Sequence, residues 1–313
     1  MSDNIPNTNT SASAGTQSEA VDMVLDSVAI CGVQSPLGQA LFETLTCAGT
    51  NIVVIKDSDL RLSPPVLARK LNNVKVVINL YGEPYVAKWT GRYEFDIYKS
   101  RLEAIRAIGT AIRYADPKPE CFMVMSNAMV YDPYEVHDEY STVYGDSFMS
   151  EVAQMETDET MKIAGKEPQL RLVLVRMGYI MSNLGGAYPL LSSLARMGWG
   201  GSVTDGYQCL PMIHEIDAVR AMIGIASDGK SSGIYNMTIP EMASMNELVE
   251  AFANTMDKKQ HRLPKFIVRL ATGRAYNLLE QNCKVIPQRL INEGFEFLFP
   301  TVGSIIKDLQ KRK

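Results

Sequence analysis

No apolar run in the 313-residue chain approaches the roughly 18 residues that span a bilayer, which excludes a membrane-crossing helix. Histidine is scarce, three in all, and none stands near cysteine or carboxylate at metal-ligand spacing, so no metal site is expected. A basic excess is missing too. The 31 Lys and Arg against 35 Asp and Glu leave a formal charge of −4, which argues against a nucleic-acid binder or a partner of anionic membranes. The five cysteines are odd in number, scattered and mostly set in apolar runs. They read as reduced thiols of an intracellular protein, cytoplasmic by default, with an organelle matrix as the alternative. Residues 1 to 25 contain no Lys, Arg or His and are rich in Ser, Thr, Asn and Gly. A disordered tail is expected there, and the lack of an apolar h-region and of arginine speaks against a signal peptide or a mitochondrial presequence.

What is present is patterned as α/β. In SVAICGVQSPLG, residues 27 to 38, the apolar run Val28 to Cys31 stops at Gly32, and Leu37, Ala40, Leu41 and Leu45 then recur at helical spacing: strand, turn, helix. Such a turn offers unpaired helical N–H groups and a favourable dipole to a dinucleotide pyrophosphate. Gly32, Gln34, Ser35, Leu37 and Gly38 are therefore candidate cofactor residues, with an ordinary glycine turn as the plain alternative. Gly32 and Gly38 fill the outer places of GxxGxxG. Ser35 holds the middle one, where a positive φ would cost on the order of 1 kcal/mol. Pro36 suits the first helical position.

Asn51 to Ile55 reads as a strand covered on both faces. The charged residues after it bear on the dinucleotide: Lys56 and Arg61 are compatible with the extra phosphate of NADP, Asp57 and Asp59 with the free ribose of NAD. A short helix over Pro65 to Leu71, a minimal strand near Leu60 to Ser63, a strand over Val76 to Leu80 and a helix over Tyr93 to Tyr114 follow. Cys121 to Met125 then delivers Ser126 and Asn127 to a strand's carboxyl end, where open α/β sheets bind ligands. A loop over 131 to 147, a helix over Phe148 to Ile163 and a strand over Leu170 to Val175 come next. The alternation predicts a Rossmann-like doubly wound parallel sheet over 26–186, to which part of 200–240 returns, and a smaller C-terminal α+β cap over 187–313. In the cap, helices are expected near Ala187 to Met197, Glu215 to Ala226, Met245 to Met256 and Phe266 to Leu279.

VINLYGEP at 77 to 84, KSRLEA at 99 to 104, RMGYIMSNLGGA at 176 to 187, PMIHEIDAVRAM at 211 to 222 and KVIPQRLINEGFEFLFP at 284 to 300 resemble, in order, blocks of the atypical extended short-chain dehydrogenase/reductases called the epimerase family. These are the bacterial YfcH-like proteins and their eukaryotic relatives, with an extra C-terminal domain of uncharacterised function. The resemblance implies a Rossmann fold and NADP binding, with Leu80, Tyr81, Gly82, Arg101 and Arg176 beside the cofactor; surface ion pairs explain the two arginines equally well. Tyr81 replaces a residue that is small in the family. Extended dehydrogenases carry a Tyr-x-x-x-Lys pair on the helix after the Ser126 strand, for proton transfer and for holding the nicotinamide ribose. Here that helix reads FMSEVAQME and has no such pair. Ser126 is then the candidate hydroxyl, and Tyr131, Tyr140 or Tyr144 a candidate acid from the loop. His214 is expected to fix the cap, and Asp217 to lie in the first turn of its helix.

Two functional readings remain. One is an NADP-binding epimerase or reductase-like protein acting on an unknown small molecule. The other is a non-catalytic binding or scaffold module in which the dinucleotide is NADP, NAD or lost. Homodimer and protein partners are open to both.

Overall fold

The computed structural model describes residues 25–202 and 204–312. The tail expected over residues 1 to 25 lies outside them, save Leu25, which is buried in the core. Strand β1 (Ser27–Cys31), helix α1 (Pro36–Cys47), strand β2 (Asn51–Ile55), helix α2 (Pro64–Leu71), strand β3 (Val76–Asn79), helix α3 (Gly91–Ile112) and strand β4 (Cys121–Asn127) open the chain. After them come β5 (Val136–His137), α4 (Phe148–Ala164), β6 (Arg171–Met177), β7 (Tyr179–Ser182), β8 (Gly185–Gly186), α5 (Ala187–Arg196), β9 (Met212–His214), α6 (Glu215–Ser227) and β10 (Gly233–Met237). The remainder is mainly helical: α7 (Met245–Met256), α8 (Lys265–Thr272), α9 (Tyr276–Glu280), β11 (Lys284–Val285), α10 (Gln288–Asn292) and α11 (Val302–Lys311).

Six strands form one parallel sheet in the order β2-β1-β3-β4-β6-β10. Because side chains alternate along a strand, each buried strand feeds two cores. Val28 and Ile30 join Leu37, Leu41 and Leu45 of α1 and the apolar face of α6 on one side. Ala29 and Cys31 join Leu67 of α2, Ile105 and Ile108 of α3 and Ile163 of α4 on the other. The chain leaves β1 toward β2 and then returns past it to β3, so the sheet has its topological switch point there, and a crevice opens at that place in such sheets. This is the Rossmann-like doubly wound sheet expected from the alternation, accompanied by a smaller C-terminal region in which β7, β8 and β9 form a second sheet and Tyr188, Leu248, Phe252, Ile305, Ile306 and Leu309 pack together.

Three local expectations need correction. The minimal strand near Leu60 to Ser63 is a 3-10 turn, Asp59–Arg61, because the Asp59 carboxylate accepts the Lys56 N–H (2.7 Å) and pairs with Lys70 (2.6 Å), which curls the backbone. The helix expected over Phe266 to Leu279 is two helices, α8 and α9. Gly273 breaks it at φ +60, where Thr272 O accepts from Trp89 N–H (3.0 Å) and a Cβ would fall 2.4 Å from Trp89 O. The loop over 131 to 147 contains β5, paired in parallel with β11.

The C-terminal region is tied to the sheet through α6. His214 caps that helix, accepting from Ile216 N–H (3.1 Å), lies 3.1 Å from Asp308 and stacks on Phe299, a structural role. Asp217, fully buried in the first turn, accepts the backbone N–H of Leu298 (3.0 Å) and Phe299 (2.9 Å) and pairs with Arg220. Charge-assisted bonds of this kind are among the stronger ones. Asp217→Ala is expected to cost about 3 kcal/mol, since two buried N–H groups lose their acceptor; equilibrium urea unfolding should show the loss as a lower midpoint with an unchanged slope.

Candidate functional site

The cleft starts at the turn after β1. Gly32 has φ +89, and a Cβ there would meet the Leu80 carbonyl carbon at 2.7 Å and the Tyr81 nitrogen at 2.8 Å, so only glycine lets the ends of β1 and β3 approach this closely. A Cβ on Gly38 would lie 2.2 Å from Gly32 O, which presses the first turn of α1 directly against the glycine turn. Ser35 caps α1: its Oγ accepts the Gly38 N–H (3.1 Å) and donates to Gly32 O (2.8 Å). Its φ is −71, so the strain anticipated for a side chain at this place does not arise. With Pro36 at the first helical position and the Gly38 N–H taken by Ser35, the Leu37 N–H is left as the first-turn donor without an intrahelical partner.

The resulting cleft encloses about 600 Å³, within the range of ligand sites. Gly32, Gln34, Ser35, Leu37, Leu80, Tyr81, Gly82, Arg101 and Ser126 all line it, so nine of the sequence-predicted residues, drawn from four separate segments, meet in one place. Gly38 lies just behind. Lys56 lines a smaller adjoining hollow with Val33, Gln39 and Ser58, and Gln34 and Asp57 border both cavities. Asp59 is committed to Lys56 N–H and Lys70 and is not free to hold a ribose.

Three predicted residues lie elsewhere. Arg61, on the 3-10 turn, lines neither cavity. Tyr131 and Arg176 form a buried pair beyond the cleft wall: the Tyr131 hydroxyl accepts from Arg176 Nη1 (2.7 Å) and donates to Asn236 Oδ1 (3.0 Å), and its ring stacks on His137. Burial pushes the Tyr131 phenol up to about 12 despite the neighbouring guanidinium. Tyr131 is thus a packed core residue rather than a loop acid, and Arg176 is its partner rather than a cofactor ligand. Tyr144 joins the same cluster, and Tyr140 is exposed.

Behind the cleft floor lies an arrangement that the reading of α4 for a Tyr/Lys pair passed over. Ser126 Oγ donates to Glu156 Oε2 at 2.6 Å, and Glu156 Oε1 stands 3.4 Å from Arg101 Nε. Glu156 is fully buried, Arg101 nearly so, and the guanidinium lies 4.0 Å from the centre of the Tyr85 ring. Desolvation raises the Glu156 carboxyl to about 7, against the opposing pull of Arg101 and the Ser126 bond. A signal was available: Met149, Val152, Ala153, Glu156, Thr160 and Ile163 recur at helical spacing and are all buried, placing a carboxylate on the apolar face of α4. Tyr85, Met125 and Met177, which line the cleft together with Met149, carried no such pattern. Among the described residues no group of three or more His, Cys, Asp or Glu could hold a metal, and no helix is long and apolar enough to cross a membrane. The five cysteines are free.

Residues 263–309 match the domain of unknown function DUF1731. An epimerase family protein of Staphylococcus saprophyticus is 26% identical over 293 residues, covering 90% of this chain and 98% of that protein. The human epimerase family protein SDR39U1 is 26% identical over 284 residues, covering 87% and 96%. Among solved structures, human SDR39U1 isoform 2 with NADPH superposes with a TM-score of 0.80 at 24% identity, over 91% of this chain and 99% of that one. UDP-glucose 4-epimerase of Thermus thermophilus, in complex with NAD, gives 0.68 at 14% identity, over 90% and 97%.

The crowding at Gly32 is directly testable. Gly32→Ala forces a side chain into a left-handed conformation and onto the β3 backbone, with an expected loss of about 2 to 5 kcal/mol of stability; urea unfolding of purified variant and parent measures it.

Proposed function

The chain belongs to the epimerase family of atypical short-chain dehydrogenase/reductases, and on that premise we propose that its cleft binds NADP(H) and serves a reversible oxidation and reduction of a small or nucleotide-linked alcohol or carbonyl. The observation behind this reading is the cradle itself. At Gly32 and Gly82 an added Cβ would strike the Leu80 backbone or the Arg101 side chain, so bare backbone faces the cleft beside the N-terminus of α1. That combination suits a pyrophosphate, which the Leu37 N–H and the helix dipole would hold. The adjoining hollow, with the exposed Lys56 ammonium and Ser58 at its rim, suits an additional phosphate on the adenosine ribose. Tyr81, half-buried, lines the cleft, with its backbone N–H donating to Asn79 Oδ1 (3.2 Å).

The dinucleotide would supply a hydride donor or acceptor, chemistry that no side chain here possesses. The protein would orient it, exclude water with the apolar wall of Leu80, Met125, Met149 and Ile180, and present Ser126 to the substrate. Of the residues assigned from the sequence, Ser126, the glycine turn and Lys56 carry this reading. A second reading, retained binding without turnover, is favoured by one observation: α4 turns Met149 into the cleft, a side chain that can move no proton.

Thermal unfolding with NADP, NADPH, NAD and NADH separates the possibilities. A ligand held by the native state alone raises stability by about 2.7 kcal/mol at a hundredfold excess over its Kd. NADP(H) is expected to stabilise the protein more than NAD(H), and Lys56→Glu to weaken NADP(H) about tenfold or more while leaving NAD(H) unchanged, as loss of one phosphate contact implies. Equal shifts with all four, or none, would reject the assignment.

A further inference from the structure

Glu156 is a costly residue in its place. A carboxyl with no exposure to water must be paired, hydrogen-bonded or neutral, yet among the described residues only one of its two oxygens has a hydrogen-bond donor, Ser126 at 2.6 Å. The other, Oε1, is buried without a hydrogen bond and sees the Arg101 guanidinium at 3.4 Å. The groups facing it come from every neighbouring element. Arg101 comes from α3, Ser126 from β4, and Tyr85, from the segment after β3, lies against the far side of the guanidinium. On α4 itself Glu159 is turned away to Arg106 and Lys162, and on β6 Arg176, level with Ser126, is held by Tyr131 and Tyr144. Ser126 and Arg101 line the cleft, and Glu156 does not.

The geometry points to a proton relay in which Glu156, acting through the Ser126 hydroxyl, exchanges a proton with the oxygen of a carbonyl or alcohol substrate in the cleft, in place of the absent Tyr/Lys pair. It rests on the reading that the cleft binds NADP(H). A bound reduced dinucleotide would supply hydride to the substrate carbon, and the carbonyl π pair would move onto oxygen. That oxygen takes the Ser126 proton, and Ser126 takes the proton of the Glu156 carboxylic acid. The products are the alcohol, the oxidised dinucleotide and a Glu156 carboxylate facing Arg101. One hydroxyl serves both legs because it can accept from the acid while donating into the cleft, and donate to the carboxylate once the proton has passed. Burial holding the carboxyl near 7 keeps both forms populated at neutral pH. Ser126 would be the catalytic residue and Glu156 the residue that poises it.

The test uses the full chain, NADPH and 9,10-phenanthrenequinone as carbonyl probe. Quinone-dependent NADPH oxidation by the parent protein is expected to fall as pH rises through about 7, since reduction needs the protonated acid. Glu156→Gln should flatten that profile, and Glu156→Asp should restore a pH dependence. Ser126→Ala, which keeps the Glu156–Arg101 pair intact, should lose about 100-fold in rate with NADPH affinity within about twofold of the parent, the scale of general acid-base catalysis. Independently of turnover, infrared spectra of the parent should show a protonated-carboxyl band that disappears as pH rises through about 7 and is missing from Glu156→Gln. NADPH bound by the parent without quinone reduction, a pH profile unchanged by Glu156→Gln, or no such band would overturn the relay alone. Failure of the parent to bind NADPH would overturn the underlying reading as well.

Discussion

The close approach at Gly32 is the constraint from which the cleft follows. Two strands and a helix converge there with too little room for a single methyl group, which sets the N-terminus of α1 at the cleft. A sheet whose chain reverses direction between neighbouring strands leaves a crevice at its carboxyl edge on topological grounds. Gly32, Gly38 and the Ser35 cap convert that crevice into a surface of bare backbone beside the Leu37 N–H. Ser35 contributes more than a tolerated substitution for glycine. Its hydroxyl bonds both sides of the turn, so the segment is stiffened before any ligand arrives.

The polar interior is arranged in two separate groups. Tyr131, Arg176, Asn236 and His137 pack together away from the cleft, with the Arg176 Nε left without a hydrogen bond. Ser126, Glu156, Arg101 and Tyr85 form the other, which touches the cleft at Ser126 and Arg101 and leaves one carboxylate oxygen without a hydrogen bond. A buried polar group with an unmet bond is costly, and both groups carry one, at Arg176 Nε and at Glu156 Oε1. Contact with the cleft separates site from scaffold here, where residue type alone does not.

Much of this was legible beforehand because it is local. Apolar runs of four to seven residues named the sheet strands up to β6, and the glycine turn named the floor of the cleft. What sequence could not carry was direction. Tyr131 follows Ser126 by five residues, yet the 3-10 turn at Ala128–Val130 swings it behind the sheet edge and into contact with Arg176, a pairing between residues 45 apart. Asp59 looked like a ribose ligand until Lys70, on the next helix, claimed it. Gly273 was hidden for the same reason, because its break in the helical pattern answers to Trp89, far earlier in the chain. Glu156 differs from these. Its burial was written in the helical spacing of α4, but a search for tyrosine and lysine on that helix does not see a glutamate.

The clamp at Asp217 sets the timing by which the molecule can be made. Its acceptors wait for Leu298 and Phe299, 81 and 82 residues further on, and His214 waits 94 residues for Asp308. Until those residues are in place the Asp217 carboxylate has Arg220 alone, and one flank of the core lacks its cover. A nascent chain in that condition exposes apolar surface to its neighbours. Completion of the fold thus depends on the segment around residue 300, and a chain cut short of it is left with an open core instead of being a smaller version of the protein.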